Sequence, residues 1–519
     1  MKRNAWVLVL SLVAVAQGRA QPAVDARPPA LVVLIAVDQL RQDYLERSRG
    51  EFTGGFARLL RSGAVFTQAF QDHGITETAP GHASMLSGRY PYSTGIVRND
   101  EGVPDRSVDL VGLPGTGASP HRFRGTALLD WMRARWPAAR MLSVSRKDRS
   151  AILPVGRSRE GVTVLWYVQG RITTSSYYAD TLPAWVRRFD SASARAKRPG
   201  LVWNLLRAPS RYGEPDSVVW ERRGRAFTFP YTLAADSLIY TMPWMDSLTL
   251  ALALEGVARL GLGRSDTPDV VSVGLSTLDN VGHDFGPDSR EVHDMMLRLD
   301  RYLGAFLAAL ERRIGRGRVV LALTGDHGVT ARPEASWARG EQAGFVVVDS
   351  ILRPVLDTLS ARAGVRALLY REVGMVALDR ARLAGRGVNV DSLAADLAAR
   401  IRVLPGVVRV DTRASLAGAD TTSHPAVRRW VRMLAPDTPG EVFITLAPLY
   451  YVGRPRNFTH GQPSDDDAHV PLILMGPGIR PGVYGAKAAV VDLGPTLAAV
   501  VGVTPTEPVD GRVLREALR

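Results

Sequence analysis

The run Leu31-Val32-Val33-Leu34-Ile35-Ala36-Val37, ending in Asp38-Gln39, decides the fold class. Seven apolar residues with no polar alternation leave no face for water. They describe a central strand of a parallel sheet, covered on both sides. Asp269-Val270-Val271-Ser272-Val273-Gly274-Leu275 and Arg318-Val319-Val320-Leu321-Ala322-Leu323-Thr324 repeat the pattern, and Met141–Ser145 gives a shorter version. Helical stretches separate these runs, the longest from about Arg290 to Arg313. The expected fold class is therefore α/β, a central mostly parallel sheet flanked by helices. In open sheets of this kind chemistry collects beyond the carboxyl ends of the strands. Asp38 is thus a candidate ligand, although capping the next helix is an equally ordinary role for it.

Working outward, a second stretch stands out, Ile75-Thr76-Glu77-Thr78-Ala79-Pro80-Gly81-His82-Ala83-Ser84. Pro is tolerated in a first helical turn, so Thr78 is expected at or near the start of a helix. Its hydroxyl then sits beside free N–H groups at the positive end of a helix dipole, which suits phosphate. A lone Thr-x-Pro is ordinarily no more than a helix cap. Other strand ends change its meaning. The Asp269 run leads into Asp279 and His283, four residues apart, as suits one helical turn holding one ion. The Val319 run ends in Gly325-Asp326-His327-Gly328, where flanking glycines let two adjacent side chains reach a common point. Asn457-Phe458-Thr459-His460-Gly461 adds an imidazole on a loop, and His469 is a further histidine close by. Asn99 lies in a polar turn, and Arg146-Lys147-Asp148-Arg149 follows the Met141 strand. If that segment stays extended, Lys147 and Arg149 project to the same side.

Composition limits the chemistry. There is no cysteine, which excludes disulfides, thiolate metal sites and cysteine nucleophiles. The formal charge of +14 comes from scattered arginines, with no nucleic-acid-binding motif, so a solvated basic surface is expected and no specific nucleic-acid partner. Lysine is rare: Lys2, Lys147, Lys197 and Lys487 are all there are. Lys2 and Arg3, the apolar run Ala5–Ala16 and Gly18-Arg19-Ala20 read as a signal peptide over 1–20 cleaved after Ala20, giving a periplasmic or secreted protein with no membrane segment once cleaved. The expected organisation is catalytic core over 28–155, a Trp-rich insertion over 156–247, core again over 248–330, a second α/β insertion over 331–440 acting as a cap, and core over 441–519. The first insertion holds five of the ten tryptophans, read as packing over the core.

Three strand ends supply Asp38, Asp279 and Asp326; His283, His327 and His460 join them. Hard oxygens with imidazoles and no sulfur form the donor set of hydrolytic zinc sites, and the set alone also admits manganese or cobalt. The combination Val37-Asp38-Gln39, Thr78-Ala79-Pro80-Gly81-His82, Asp279…His283, Gly325-Asp326-His327-Gly328 and Thr459-His460-Gly461 resembles the alkaline phosphatase superfamily, from about Leu31 to Arg512. Its nearest likeness is to the branch holding nucleotide pyrophosphatases/phosphodiesterases and the phosphate-irrepressible alkaline phosphatases. The resemblance implies the alkaline-phosphatase-like sandwich, with two insertions over the active-site side, and two Zn2+ ions. One would be held by Asp38, Asp326, His327 and the Thr78 oxygen, the other by Asp279, His283 and His460. It implies Thr78 as nucleophile, through a covalent phosphothreonine. It further implies Asn99, Lys147 and Arg149 as donors to the phosphoryl oxygens. A monoester carries one more negative charge than a diester, so the Lys147/Arg149 pair favours phosphate monoesters as substrates. The alternatives are a phosphodiesterase or nucleotide pyrophosphatase of the same superfamily, a sulfatase, which would use a modified Cys or Ser where Thr78 stands, and a binding protein on an inactive scaffold.

Overall fold

The structure, a computed structural model, describes residues 28–221 and 228–519. The expected signal peptide lies outside the described residues. No helix among those described is long and apolar enough to cross a membrane.

Nine strands of the described residues form one sheet. Its centre is the parallel series Val319–Gly325, Leu31–Val37, Asp269–Leu275, Met141–Ser145 and Val162–Val168. Leu472–Met475 adds antiparallel beside Val319–Gly325, and Ala64–Phe66 and Gly482–Tyr484 extend that edge. Every residue of Leu31–Val37 is buried. Because side chains alternate along a strand, Leu31, Val33, Ile35 and Val37 enter one core while Val32, Leu34 and Ala36 enter the other. Helices Gly55–Ser62, Trp244–Leu260 and Arg290–Ile314 pack on the first face; Thr78–Ser87, Leu128–Arg135 and Leu493–Val501 cover the second. The α/β layering expected from the strand runs is what forms.

The insertion boundaries differ from expectation. Val162–Val168 pairs in register with Met141–Ser145, and Arg171–Thr173 turns back on it, so the sheet continues past residue 156 and the insertion begins after Thr173. The sequence Val-Thr-Val-Leu-Trp-Tyr-Val is itself a β-branched and aromatic run suited to a strand. The helix returning to the core begins at Trp244, not at 248. Trp166, Trp185 and Trp203 are buried in the two cores, in keeping with packing.

The cap likewise reaches beyond 440. Gly440–Leu446 is an inner strand of a four-stranded antiparallel sheet with Leu368–Glu372, Met375–Leu378 and Val407–Thr412. Its burial on both faces, against the cap helices and against Trp430, explains an apolar run that reads equally well as a core strand. The cap is tied to the core through Asp72, buried beneath Arg428, Arg429 and Arg432.

Candidate active site

The register that builds the sheet also builds the site. Val37 is level with Leu275 on one side and Gly325 on the other, so Asp38 and Asp326 leave the sheet as neighbours. Beyond Leu275 the helix Thr277–Phe285 carries Asp279 in its first turn and His283 one turn later, with His283 Nε2 3.2 Å from Asp279 Oδ1. Gln39 stitches the two carboxylates together. Its φ of 65° is left-handed, a costly conformation for a non-glycine residue that the surrounding contacts must hold in place. It lets the Gln39 N–H donate to Asp326 Oδ1 (2.9 Å) while Nε2 donates to Asp279 Oδ1 (3.0 Å).

Helix Thr78–Ser87 starts against the same strand ends. Glu77 occupies the cap position, and Thr78 is the first helical residue. Gly81 permits the approach, because a Cβ there would lie 2.3 Å from the Asp326 carbonyl oxygen. The buried Thr78 Oγ1 is 3.3 Å from Lys147 Nζ and 3.5 Å from His327 Nε2.

The imidazoles carry the clearest statement. His283 Nδ1 lies 2.6 Å from Phe458 O, His327 Nδ1 2.9 Å from Gly328 O, and His460 Nδ1 2.8 Å from Thr76 O. A carbonyl only accepts, so each Nδ1 carries the proton. Each Nε2 then faces Asp279 Oδ1, at 3.2, 4.0 and 3.8 Å. Burial pushes His327 down to about 4 and holds His460 well below the ordinary histidine range, with His327 and His283 adding to the latter effect. Both rings are therefore neutral and aim lone pairs at a carboxylate oxygen, which is repulsive unless a cation lies between. Metal-bound histidines are oriented in this way, through the second ring nitrogen.

Charge leads to the same place. Asp38, Asp279 and Asp326 are all buried. Lys147 Nζ contacts Asp38 Oδ2 at 2.9 Å and Asp279 Oδ2 at 2.7 Å. Burial would raise both carboxyls, but Lys147, with His82 at Asp38 and His283 at Asp279, outweighs it and holds them below the usual range. At Asp326 the balance falls the other way: burial and the neighbouring Asp38 carboxylate outweigh His82 and Lys147 and push it up to about 7, and its Oδ2 has no hydrogen-bond partner among the described residues. One ammonium against three buried carboxylates, with an orphaned oxygen and two convergent lone pairs, fits divalent cations.

One carboxylate oxygen of Asp279 and one ring nitrogen each of His283 and His460 lie within 4.8 Å of one another. Asp38 and Asp326 also come together, but the third member within that distance is His82, while His327 Nε2 lies 3.4 Å from Asp326 Oδ2. His82 Nε2 is 3.0 Å from Asp38 Oδ1 and donates to it. His82 closes the Thr78-Ala79-Pro80-Gly81-His82 motif, and its place one helical turn after Thr78 is the signal that singles it out. Ser150 Oγ, 3.5 Å from Asp38 Oδ2, carries no such signal. His469 stands apart: it stacks on Phe70 at 4.7 Å, and its Nε2 bonds Thr67 O.

The segment after Met141–Ser145 does not stay extended. A helix begins at Asp148, so Lys147 is its cap residue and Arg149 lies in its first turn. Lys147 turns inward to the carboxylates, whereas Arg149 is half-buried, with its Nε lacking a hydrogen-bond partner among the described residues. Asn99 Oδ1 accepts from Ala79 N–H at 2.9 Å, and Asn99 N–H donates to Glu77 Oε2 at 2.8 Å. Burial and the neighbouring Glu372 push the Glu77 carboxyl up to about 8. A cleft of about 730 Å3 opens beside His283, lined by Tyr240, Asn280, Arg456, Phe458 and Thr459.

The family of type I phosphodiesterases / nucleotide pyrophosphatases matches residues 32–371, a span that contains every one of these site residues up to His327. The chain belongs to this family. Within it, the chain is 30% identical to the alkaline phosphatase PafA of Elizabethkingia meningoseptica over 94% of both chains. It is 28% identical to the alkaline phosphatase PhoV of Synechococcus elongatus, over 97% of this chain and 96% of that one. The crystal structure of PafA matches with a TM-score of 0.87 at 28% identity, covering 95% of this chain and 99% of that chain. This member of the phosphodiesterase / nucleotide pyrophosphatase family therefore shares the PafA fold along nearly its whole length, within the alkaline phosphatase superfamily that the motifs resemble.

Proposed function

We propose that the chain is an exported alkaline phosphatase, a phosphoric monoester hydrolase acting on small phosphate monoesters through a covalent phosphothreonine at Thr78. Phosphatase homologues at 28–30% identity support the general activity. The observation that carries the monoester assignment is the Lys147 ammonium, 3.3 Å from Thr78 Oγ1.

Asp38, Asp326, His327 and the Thr78 oxygen would hold one zinc ion; Asp279, His283 and His460 would hold the other. Bound there, the pair supplies positive charge that favours the Thr78 alkoxide, the departing oxygen and the attacking water. Thr78 Oγ1, its proton lost to solvent, attacks phosphorus in line, the bond to the ester oxygen breaks, and the departing alkoxide takes a proton from water and leaves as the product alcohol. Lys147 and the Arg149 guanidinium neutralise the dianionic phosphoryl group, and Asn99 Nδ2 donates to a third oxygen. Water then cleaves the Thr78 phosphoester and releases inorganic phosphate.

The test compares p-nitrophenyl phosphate with bis-p-nitrophenyl phosphate at alkaline pH with zinc supplied, for wild type, Lys147→Ala/Arg149→Ala and Thr78→Ala. Monoester turnover should dominate. The double variant should lose about a hundredfold more of it than of diester turnover, since each charge-assisted hydrogen bond is worth about 1.5–3 kcal/mol. Thr78→Ala should lose turnover and keep its metal. Dominant diester turnover, or an equal fall of both activities, replaces this reading with a phosphodiesterase.

A further inference from the structure

We propose that Glu77 is a positioning residue, which fixes Asn99 against the start of the Thr78 helix so that the Asn99 amide faces the phosphoryl group. The inference rests on the phosphatase reading above and extends it to a residue that the site chemistry does not itself require.

A helix begins with four N–H groups that lack intrahelical partners. In helix Thr78–Ser87 the cap residue is Glu77, yet its side chain makes no cap bond to its own helix. The Ala79 N–H is served instead from twenty residues away, by Asn99 Oδ1 at 2.9 Å. Glu77 Oε2 returns the contact by accepting the Asn99 N–H at 2.8 Å. The two residues thus form a reciprocal pair like a capping box, but split between two segments of chain. The arrangement has a stereochemical outcome. An Asn side chain has one acceptor end and one donor end. With Oδ1 committed to Ala79, Nδ2 is the end left for another acceptor, one residue along the helix from the Thr78 hydroxyl.

The turn is also held from the cap. Arg98, the residue before Asn99, bonds Glu372 at 3.2 Å and lies over the Tyr370 ring at 3.8 Å. Glu77 is buried and Asn99 half-buried. Removing the carboxylate leaves the Asn99 main chain free to shift and the amide free to turn over. Positioning losses of this kind reduce rates by about tenfold or more.

The experiment places Glu77→Ala and Glu77→Gln in the wild-type and Asn99→Ala backgrounds. It measures kcat/KM for p-nitrophenyl phosphate and, by calorimetry on the zinc-supplied protein, inorganic phosphate affinity. Glu77→Ala should lower both by about tenfold, with zinc content and melting temperature unchanged. Glu77→Gln retains a carbonyl oxygen able to accept from Asn99, and should stay within about threefold of wild type. In the Asn99→Ala background, Glu77→Ala should cost less than about twofold more, because the residue through which it acts is gone. Equal losses in both backgrounds, or no loss in the wild-type background, overturn the proposal. If wild type binds phosphate but does not turn over monoesters, the phosphatase reading fails, while the phosphate affinities still judge Glu77. A wild type that binds no phosphate overturns both.

Discussion

One methyl group added at Gly81 should separate the two halves of the site. Gly81 lies one turn into the Thr78 helix, where a Cβ would fall 2.3 Å from Asp326 O, 2.9 Å from Asp326 Cβ and 3.0 Å from Asp326 C. The obstacles are main-chain atoms and the root of a side chain, so none can swing aside. Reaching even a tight 3.0 Å from the carbonyl oxygen requires the helix and the strand end to part by about 0.7 Å. The Thr78 hydroxyl rides on one body and the Asp326 carboxylate on the other. A displacement approaching 1 Å costs about a hundredfold in rate, and overpacking costs about 1–3 kcal/mol in stability. Gly81→Ala should therefore fold, melt a few degrees lower and lose about two orders of magnitude in kcat/KM for p-nitrophenyl phosphate with zinc supplied. Gly50→Ala is the control, since a Cβ there meets nothing within 4 Å. Activity of Gly81→Ala within tenfold of wild type would refute the claim that this contact sets the distance between nucleophile and carboxylates.

Two further outcomes concern the surroundings of the site. Asp72→Ala removes the carboxylate shared by Arg428, Arg429 and Arg432 and leaves the buried Arg429 with Asp465 and the Pro463 carbonyl, and should destabilise the junction of cap and core by about 3 kcal/mol, read as a lower urea midpoint. An unchanged midpoint would show that the ion cluster is not what holds the cap. His73 is fully buried, and burial lowers its pKa to about 3 although Asp72 and the Ile75 main chain oppose the shift. The unfolded chain therefore binds the extra proton first. The stability from burying the neutral ring is complete above about pH 6.5 and is lost as pH falls from there toward 3, with a slope of about 1.4 kcal/mol per pH unit. Unfolding of His73→Asn followed between pH 7 and 4 should lack that component, and identical slopes in both proteins would contradict it.

Much of this arrangement is legible in the sequence, for physical reasons. The Leu31–Val37 run has no polar face, so it reads as a central strand, and the carboxylates just beyond such strands necessarily gather at one rim. Asp279 and His283 announce themselves by helical spacing. What sequence does not show are contacts made by segments far apart. The left-handed Gln39, linking Asp326 to Asp279, has no local signature. The exchange between Glu77 and Asn99 depends on how a turn meets a helix start. The helix beginning at Asp148 sends Lys147 inward where an extended chain would have paired it with Arg149. Gly440–Leu446 is equally apolar whether it joins the central sheet or the cap, and only its pairing partners decide.

His460 enters the site from beyond the cap, more than a hundred residues after His327. This fixes the order in which a growing chain can acquire its third imidazole. Every other donor has been synthesised by residue 327, yet the Asp279 cluster stays one nitrogen short until the whole cap and the loop after it exist. On the proposed two-ion reading, tight metal capture would thereby be deferred to a nearly finished polypeptide, and a chain broken off within the cap would be a fragment that cannot compete for a divalent cation on equal terms with the complete protein.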